Sequence, residues 1–217
     1  MTIAGLPAGE SACKRADGNN PVISDVATTG YSVPMGVLNP QHYVQAAQQI
    51  TIATNAHYGY VLTARALRPL SLGDYQLANC DEQHCIKMIT TPENHETGTN
   101  WSNQESGFGY TMYLVSGDTY LNEASRDSSP VLDTNYFQPS SPSSWPTVTM
   151  PNASLHFNYL TDGHWQGFAI NDHAQLLNNN RSSSSDVLNI CYRLKPSATN
   201  LAGKYQTHIV YTATATF

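Results

Sequence analysis

The chain is poor in charge. Lys, Arg, Asp and Glu make up 12 % of its 217 residues, against roughly 25 % in ordinary soluble domains. Ten basic and sixteen acidic residues leave a net charge of −6 with no basic cluster. That excludes a nucleic-acid groove and an anionic membrane surface as partners. Long apolar runs are missing too, and none approaches the roughly 18–20 residues of a membrane-spanning helix. The opening MTIAGLPAGESACKRADGNN lacks the basic start and apolar centre of a leader. Phosphate-cradling glycine motifs, a Gly-x-Ser-x-Gly elbow and repeats of domain-array length are all absent.

Ser, Thr, Asn and Gln supply the polar surface instead of Glu and Lys. Hydroxyls and amides favour strands and turns over exposed helices. Thirteen tyrosines against five phenylalanines predict half-buried rings that keep their hydroxyls hydrogen-bonded. The clearest pattern lies at the carboxyl end. Tyr205, Thr207, Ile209, Tyr211, Ala213, Ala215 and Phe217 alternate with Lys204, Gln206, His208, Val210, Thr212, Thr214 and Thr216. A period of two sustained over Lys204–Phe217 predicts one half-buried strand.

The turn pair Ala202-Gly203 and the alternating Val187–Leu194 before it predict a closing β-hairpin. A second hairpin is expected from Gln48–Thr54 and Tyr58–Arg65 across Asn55-Ala56. Tyr31–Val37 is expected to be a strand kept to an edge by Pro34, and Gln41–Gln49 is the one candidate helical turn. Gly107–Val115, Leu155–Leu160 and Gln166–Ile170 are further expected strands. Gln138–Pro146 and Asn178–Ser185 are expected loops. The fold class is therefore all-β, an antiparallel β-sandwich of immunoglobulin-like or jelly-roll-like form. Residues 1–21 are expected to be an irregular arm and residues 22–217 a single domain, with 70–180 a long, loop-rich insertion.

Four cysteines allow three pairings. In Val187–Leu194 the apolar face is Leu188, Ile190, Tyr192 and Leu194, so Cys191 points to the other side beside Asn189 and Arg193. Cys13 lies in the arm, which has no strand pattern of its own. Pairing Cys13 with Cys191 would staple the arm onto a sheet face and contribute on the order of 4 kcal/mol. Cys80 and Cys85 bracket the polar tip Asp81–His84, which a short disulfide would close. The alternatives are a free thiol pair and a metal held by Cys80, His84 and Cys85, although C-x₄-C lacks the second ligand pair of a zinc site.

Candidate chemistry is thin. His156, His164 and His173 lie near Asp162 and Asp172 without a fixed metal-ligand or acid–base spacing. Asp74, Asp81, Asp118, Asp127, Asp133, Asp162 and Asp172 all sit in turn-like contexts. Asp17-Gly18-Asn19-Asn20 lacks the closing Glu of a calcium loop. Trp101, Trp145 and Trp165, with Tyr110, Tyr113 and Tyr136, form a candidate sugar-stacking platform, set against the plainer role of core or loop anchors. Asn100-Trp-Ser102 and Asn152-Ala-Ser154 match glycosylation acceptors. No catalytic residue, metal or cofactor is expected.

Asn189-Ile-Cys-Tyr-Arg-Leu194, Ala202-Gly-Lys-Tyr205 and Ile209-Val-Tyr-Thr-Ala-Thr-Ala-Thr-Phe217 resemble the endings of secreted surface proteins of candidate-phyla bacteria. Gln49–Ala64 fits their companion hairpin, and Gly107-Phe-Gly-Tyr110 a further element. More loosely, the chain is similar to camelysin-like matrix fibre subunits, pilin-type subunits and WxL-type cell-wall modules, without the WxL tryptophan motif. The resemblance implies an exported β-sandwich that works at the cell surface, and it transfers no catalytic residue. The expected function is a non-enzymatic structural protein or filament subunit. Its expected partner is a second copy, another surface protein or a glycan, with no nucleic acid and no membrane insertion. Tyr205, Ile209, Tyr211 and Phe217 mark the candidate assembly strand. An adhesin using the three tryptophans, and a hydrolase on a sandwich scaffold, are the alternative expectations.

Overall fold

The computed structural model describes residues 1–13, 22–73, 80–88, 99–100, 106–116, 131–132, 164–165, 174–179 and 183–217. Fifteen strands follow one another among them: β1 Thr2–Gly5, β2 Ser11–Cys13, β3 Val22–Ile23, β4 Val44–Thr54, β5 Tyr60–Ala66, β6 Leu70–Leu72, β7 Cys85–Ile86 and β8 Thr99–Asn100. Then come β9 Gly107–Ser116, β10 Val131–Leu132, β11 His164–Trp165, β12 Ala174–Asn179, β13 Ser183–Lys195, β14 Tyr205–Gln206 and β15 Ile209–Ala215. The described residues contain no helix, and the strand pairs between named strands are antiparallel. The chain is an all-β protein.

Two four-stranded sheets dominate, in the orders β1-β4-β13-β9 and β10-β12-β5-β15. Alternation places one face of each in a common core. Ala46, Ile50 and Ile52 of β4, Tyr110 and Met112 of β9, and Leu188, Ile190, Tyr192 and Leu194 of β13 join Tyr60, Leu62, Ala64 and Ala66 of β5. Ile209, Tyr211 and Ala213 of β15 pack against the same cluster. Small residues beside large rings let the two faces interdigitate at interior density. Removing a Leu or Ile side chain from water here stabilises the fold by about 1.5–3 kcal/mol.

Both predicted hairpins are in fact crossings between sheets. β4 is flanked by β1 and β13, while β5 is flanked by β12 and β15. β13 likewise lies between β4 and β9, so neither of its edges is open to β15. Nearest-in-sequence pairing fails because both edges of each central strand are already occupied. The Asn55–Gly59 link turns instead of closing a hairpin, with Gly59 at φ 73° donating its N–H to the Ala56 carbonyl.

Other expectations are corrected as well. Gln41–Gln49 is not helical: Val44–Thr54 is a single strand, despite residues that favour helix on their own. Ala46, Gln48, Ile50 and Ile52 are buried along one face of it. Pairing with β1 and β13 on its two sides overrides local propensity. Tyr31–Val37 joins no sheet, although Val33 and Met35 pack on the core while Tyr31 and Val37 stand in solvent. Asn178–Ser185 is strand at both ends rather than loop. Gly107–Val115 is a strand, as expected. Gln138–Pro146, Leu155–Leu160 and Gln166–Ile170 lie outside the described residues.

Nor is the opening of the chain irregular. β1 pairs with β4, and β2 pairs with β3. The β2–β3 ribbon lies over the outer face of β4 and β13, where Ala12, Cys13 and Val22 meet Ala47 and Cys191 in a second small core. Asn189 Nδ2 donates to the Ala12 carbonyl at 2.7 Å, and Gln49 Nε2 donates to Asn189 Oδ1 at 3.1 Å. Nearby, the Arg193 guanidinium lies 4.5 Å above the Tyr43 ring and donates to Gln45 Oε1. Burial pulls its pKa down to about 10.

Candidate functional site

The expected continuous strand Lys204–Phe217 is broken into two. Tyr205 and Gln206 pair with Leu72 and Ser71, whereas Ile209–Ala215 pairs with Ala66–Tyr60. The break falls opposite Pro69, which has no N–H to give a ladder. There Thr207 Oγ1 donates to the Arg68 carbonyl at 2.6 Å. Tyr205 thus leaves the assembly strand. Its hydroxyl ties the Gln83 and Leu201 carbonyls together at 2.9 and 2.8 Å.

In and just after β15 the core-facing residues are those expected, with two exceptions: Ala215 is exposed, and so is Phe217. Ile209 and Tyr211 pack on the core, but Phe217 is 87 % exposed. The Tyr211 hydroxyl lies 2.8 Å from that of Tyr192, which donates to Gln48 Oε1 at 2.7 Å. Gln48 Nε2 donates in turn to the Thr29 carbonyl. Desolvation raises the pKa of both tyrosines, so both stay protonated in the fold. This chain of polar groups anchors β15 to β4 and β13 across the core.

β15 is an edge. The Leu67 amide donates to the His208 carbonyl and the Thr216 amide to the Gly59 carbonyl, both at 2.9 Å. Even-numbered residues therefore aim their backbone groups at β5, and Ile209, Tyr211, Ala213 and Ala215 aim theirs the other way. Among the described residues no strand pairs on that side. From Ile209 to Phe217 the sequence IVYTATATF carries no charge and no proline, and the register with β5 runs without a bulge. These are the devices that normally blunt an edge. The edge of β1, by contrast, is covered: the Thr28 amide donates to the Leu6 carbonyl at 2.9 Å. A Cβ added at Gly5 or Gly30 would collide with the Thr28 or Ile3 carbonyl there. The edge of β9 is met at its start by Met88 bridging to Phe108.

The disulfides are those expected. Cys13 pairs with Cys191 and Cys80 with Cys85, with Cα–Cα separations of 6.3 and 5.5 Å. No cysteine is free, which overturns both the thiol and the metal alternatives for Cys80, His84 and Cys85. Asp81 organises the short loop, accepting from the His84 amide at 2.8 Å and lying 2.7 Å from the His84 ring nitrogen. The amide bond, more than the ring, holds its carboxyl below the usual value. Asn200 Nδ2 clasps the loop by donating to the Glu82 and Cys85 carbonyls. Two disulfides in a chain this size point to an oxidising, extracellular setting. Among the described residues no helix is long and apolar enough to cross a membrane.

Of the other candidates only a few lie among the described residues, and there β11 runs close to β9. Tyr110 is fully buried in the core and belongs to no surface platform. Trp165 and His164 lie on β11, paired with Thr99 and Asn100 of β8, and Tyr113 lies on β9. Trp101, Trp145, Tyr136, Asn152, His156, His173 and residues 17–20 fall outside the described residues, as do Asp74, Asp118, Asp127, Asp133, Asp162 and Asp172. No cluster of metal-ligating side chains occurs among the described residues. A buried acid went unnoticed in the sequence: Asp186 accepts a 2.6 Å hydrogen bond from the Tyr60 hydroxyl, linking β13 to β5. Its signal was an acid directly before the alternating apolar run of β13. Compared with protein-family models, with curated proteins and with solved structures, the chain matches none.

Proposed function

We propose that this chain is a non-enzymatic, exported structural or surface protein, a two-sheet β-sandwich that joins a neighbouring subunit through β15. The observation that carries this reading is the unblunted edge from Ile209 to Phe217, in a protein whose β1 edge is covered. An extended edge of this kind recruits another strand by main-chain hydrogen bonds, and alternate side chains set the register. The Cys13–Cys191 staple supports export, since such a bond persists outside the reducing cytosol. Three of the described acids support a structural role, because they make contacts within the fold: Asp186 with Tyr60, Asp81 with His84, and Glu82 with Lys87.

Sedimentation velocity on the oxidised full chain over a range of concentrations tests the reading. A concentration-dependent species heavier than the 23.7 kDa chain is expected. A protein that stays monomeric throughout would count against it.

A further inference from the structure

The partner that the β15 edge fits best is a second copy of the same edge. From this geometry, and resting on the assembly reading above, we infer that two copies pair β15 to β15 in antiparallel fashion about a two-fold axis at Ala213. The outward backbone groups belong to the odd-numbered residues, so any antiparallel self-pairing must match odd with odd. Centring on Ala213 sets Tyr211 against Ala215 of the second copy and Ile209 against Phe217 of the second copy. Tyr211 then meets a small side chain, while Ile209 and Phe217 cover each other. Phe217, 87 % exposed in the single chain, gains a cover, and the half-buried Ile209 is capped. On the outer face Thr212 lies opposite Thr214 of the second copy and Val210 opposite Thr216, threonine and β-branched pairs that stabilise neighbouring strands.

The absence of charge makes the edge self-compatible. A basic or acidic edge would repel its own image, but IVYTATATF does not. A two-fold contact uses the same patch on both partners and closes on itself. The β10-β12-β5-β15 sheet then continues through the axis into its copy, as an eight-stranded sheet of two chains.

Because Ala213 aims its N–H away from β5, Ala213→Pro removes an outward donor while leaving the β5 ladder intact. Sedimentation velocity of the wild-type oxidised chain is expected to give twice 23.7 kDa, and A213P the single mass with unchanged circular dichroism and the melting of the wild type diluted to monomer. The register is read by charge. Thr212→Glu with Thr214→Lys places opposite charges across the axis and preserves the dimer, whereas T212K/T214K places like charges there and dissociates it. A dimer indifferent to that exchange, or one retained in A213P, overturns the pairing. An open-ended series of larger species overturns the two-fold contact while the assembly reading stands. A wild-type monomer at every concentration overturns both.

Discussion

Breaking Cys13–Cys191 is expected to cost far more than breaking Cys80–Cys85, because the two bonds close loops of very different length. The residues they join are 178 and 5 positions apart. Loop-closure entropy in the unfolded chain then gives about 5 kcal/mol for the long bond and about 2 kcal/mol for the short one at 25 °C. For a chain of this size, about 5 kcal/mol corresponds to a fall of roughly 10–20 °C in Tm. The measurement is urea unfolding of C13A/C191A and C80A/C85A beside the oxidised wild type. Cys13 and Cys191 are both buried in the small outer core, so truncating them removes packing as well as the bond. The fully reduced wild type keeps the sulfur atoms and lacks both bonds, and its loss beyond that of C80A/C85A isolates the long cross-link. A further signature is a larger urea m value for C13A/C191A, since its unfolded state is free to expand. A loss no greater than that of C80A/C85A, with m unchanged, would refute the argument and leave the β2–β3 ribbon held by packing alone.

Two other perturbations follow from buried polar contacts. Tyr60→Phe takes the hydroxyl from Asp186 in a setting where both residues are about 1 % exposed. Losing a hydrogen bond to a carboxylate there should cost about 1.5–3 kcal/mol in denaturant unfolding, and a cost under about 0.5 kcal/mol would show that the contact is dispensable. At alkaline pH, Tyr192 keeps its proton in the fold beyond the point where the unfolded chain releases it, because burial raises its pKa. The unfolded state then binds fewer protons than the folded one. Stability is fully present below about pH 10 and falls by about 1.4 kcal/mol per unit above it. Tyr192→Phe should be less stable at neutral pH and show a shallower alkaline decline. An equal slope in the two proteins would contradict the assignment.

What local pattern determined is what each strand does to its own side chains. The alternation of Leu188, Ile190, Tyr192 and Leu194 against Asn189, Cys191 and Arg193 set the core face of β13. It also showed why Cys191 was placed to reach a segment lying outside the sheet. The same alternation marked Tyr58, Tyr60, Leu62 and Ala64 as one face, of which Tyr60, Leu62 and Ala64 are buried and Tyr58 is exposed. The candidate edge was legible as a long, uncharged, β-branched run at Ile209–Phe217. Which strand lies beside which was not legible, because pairing depends on how many neighbours a strand already has. β4, β5 and β13 each take partners on both sides, so the short links that looked like hairpin turns carry the chain from one sheet to the other. Likewise, Gln45–Gln49 has the composition of a helix, and only the strands on its two sides hold it extended. Period-two patterning is a property of a single strand in contact with a core, whereas pairing order, edges and the covering of a sheet's outer face are properties of all the strands at once.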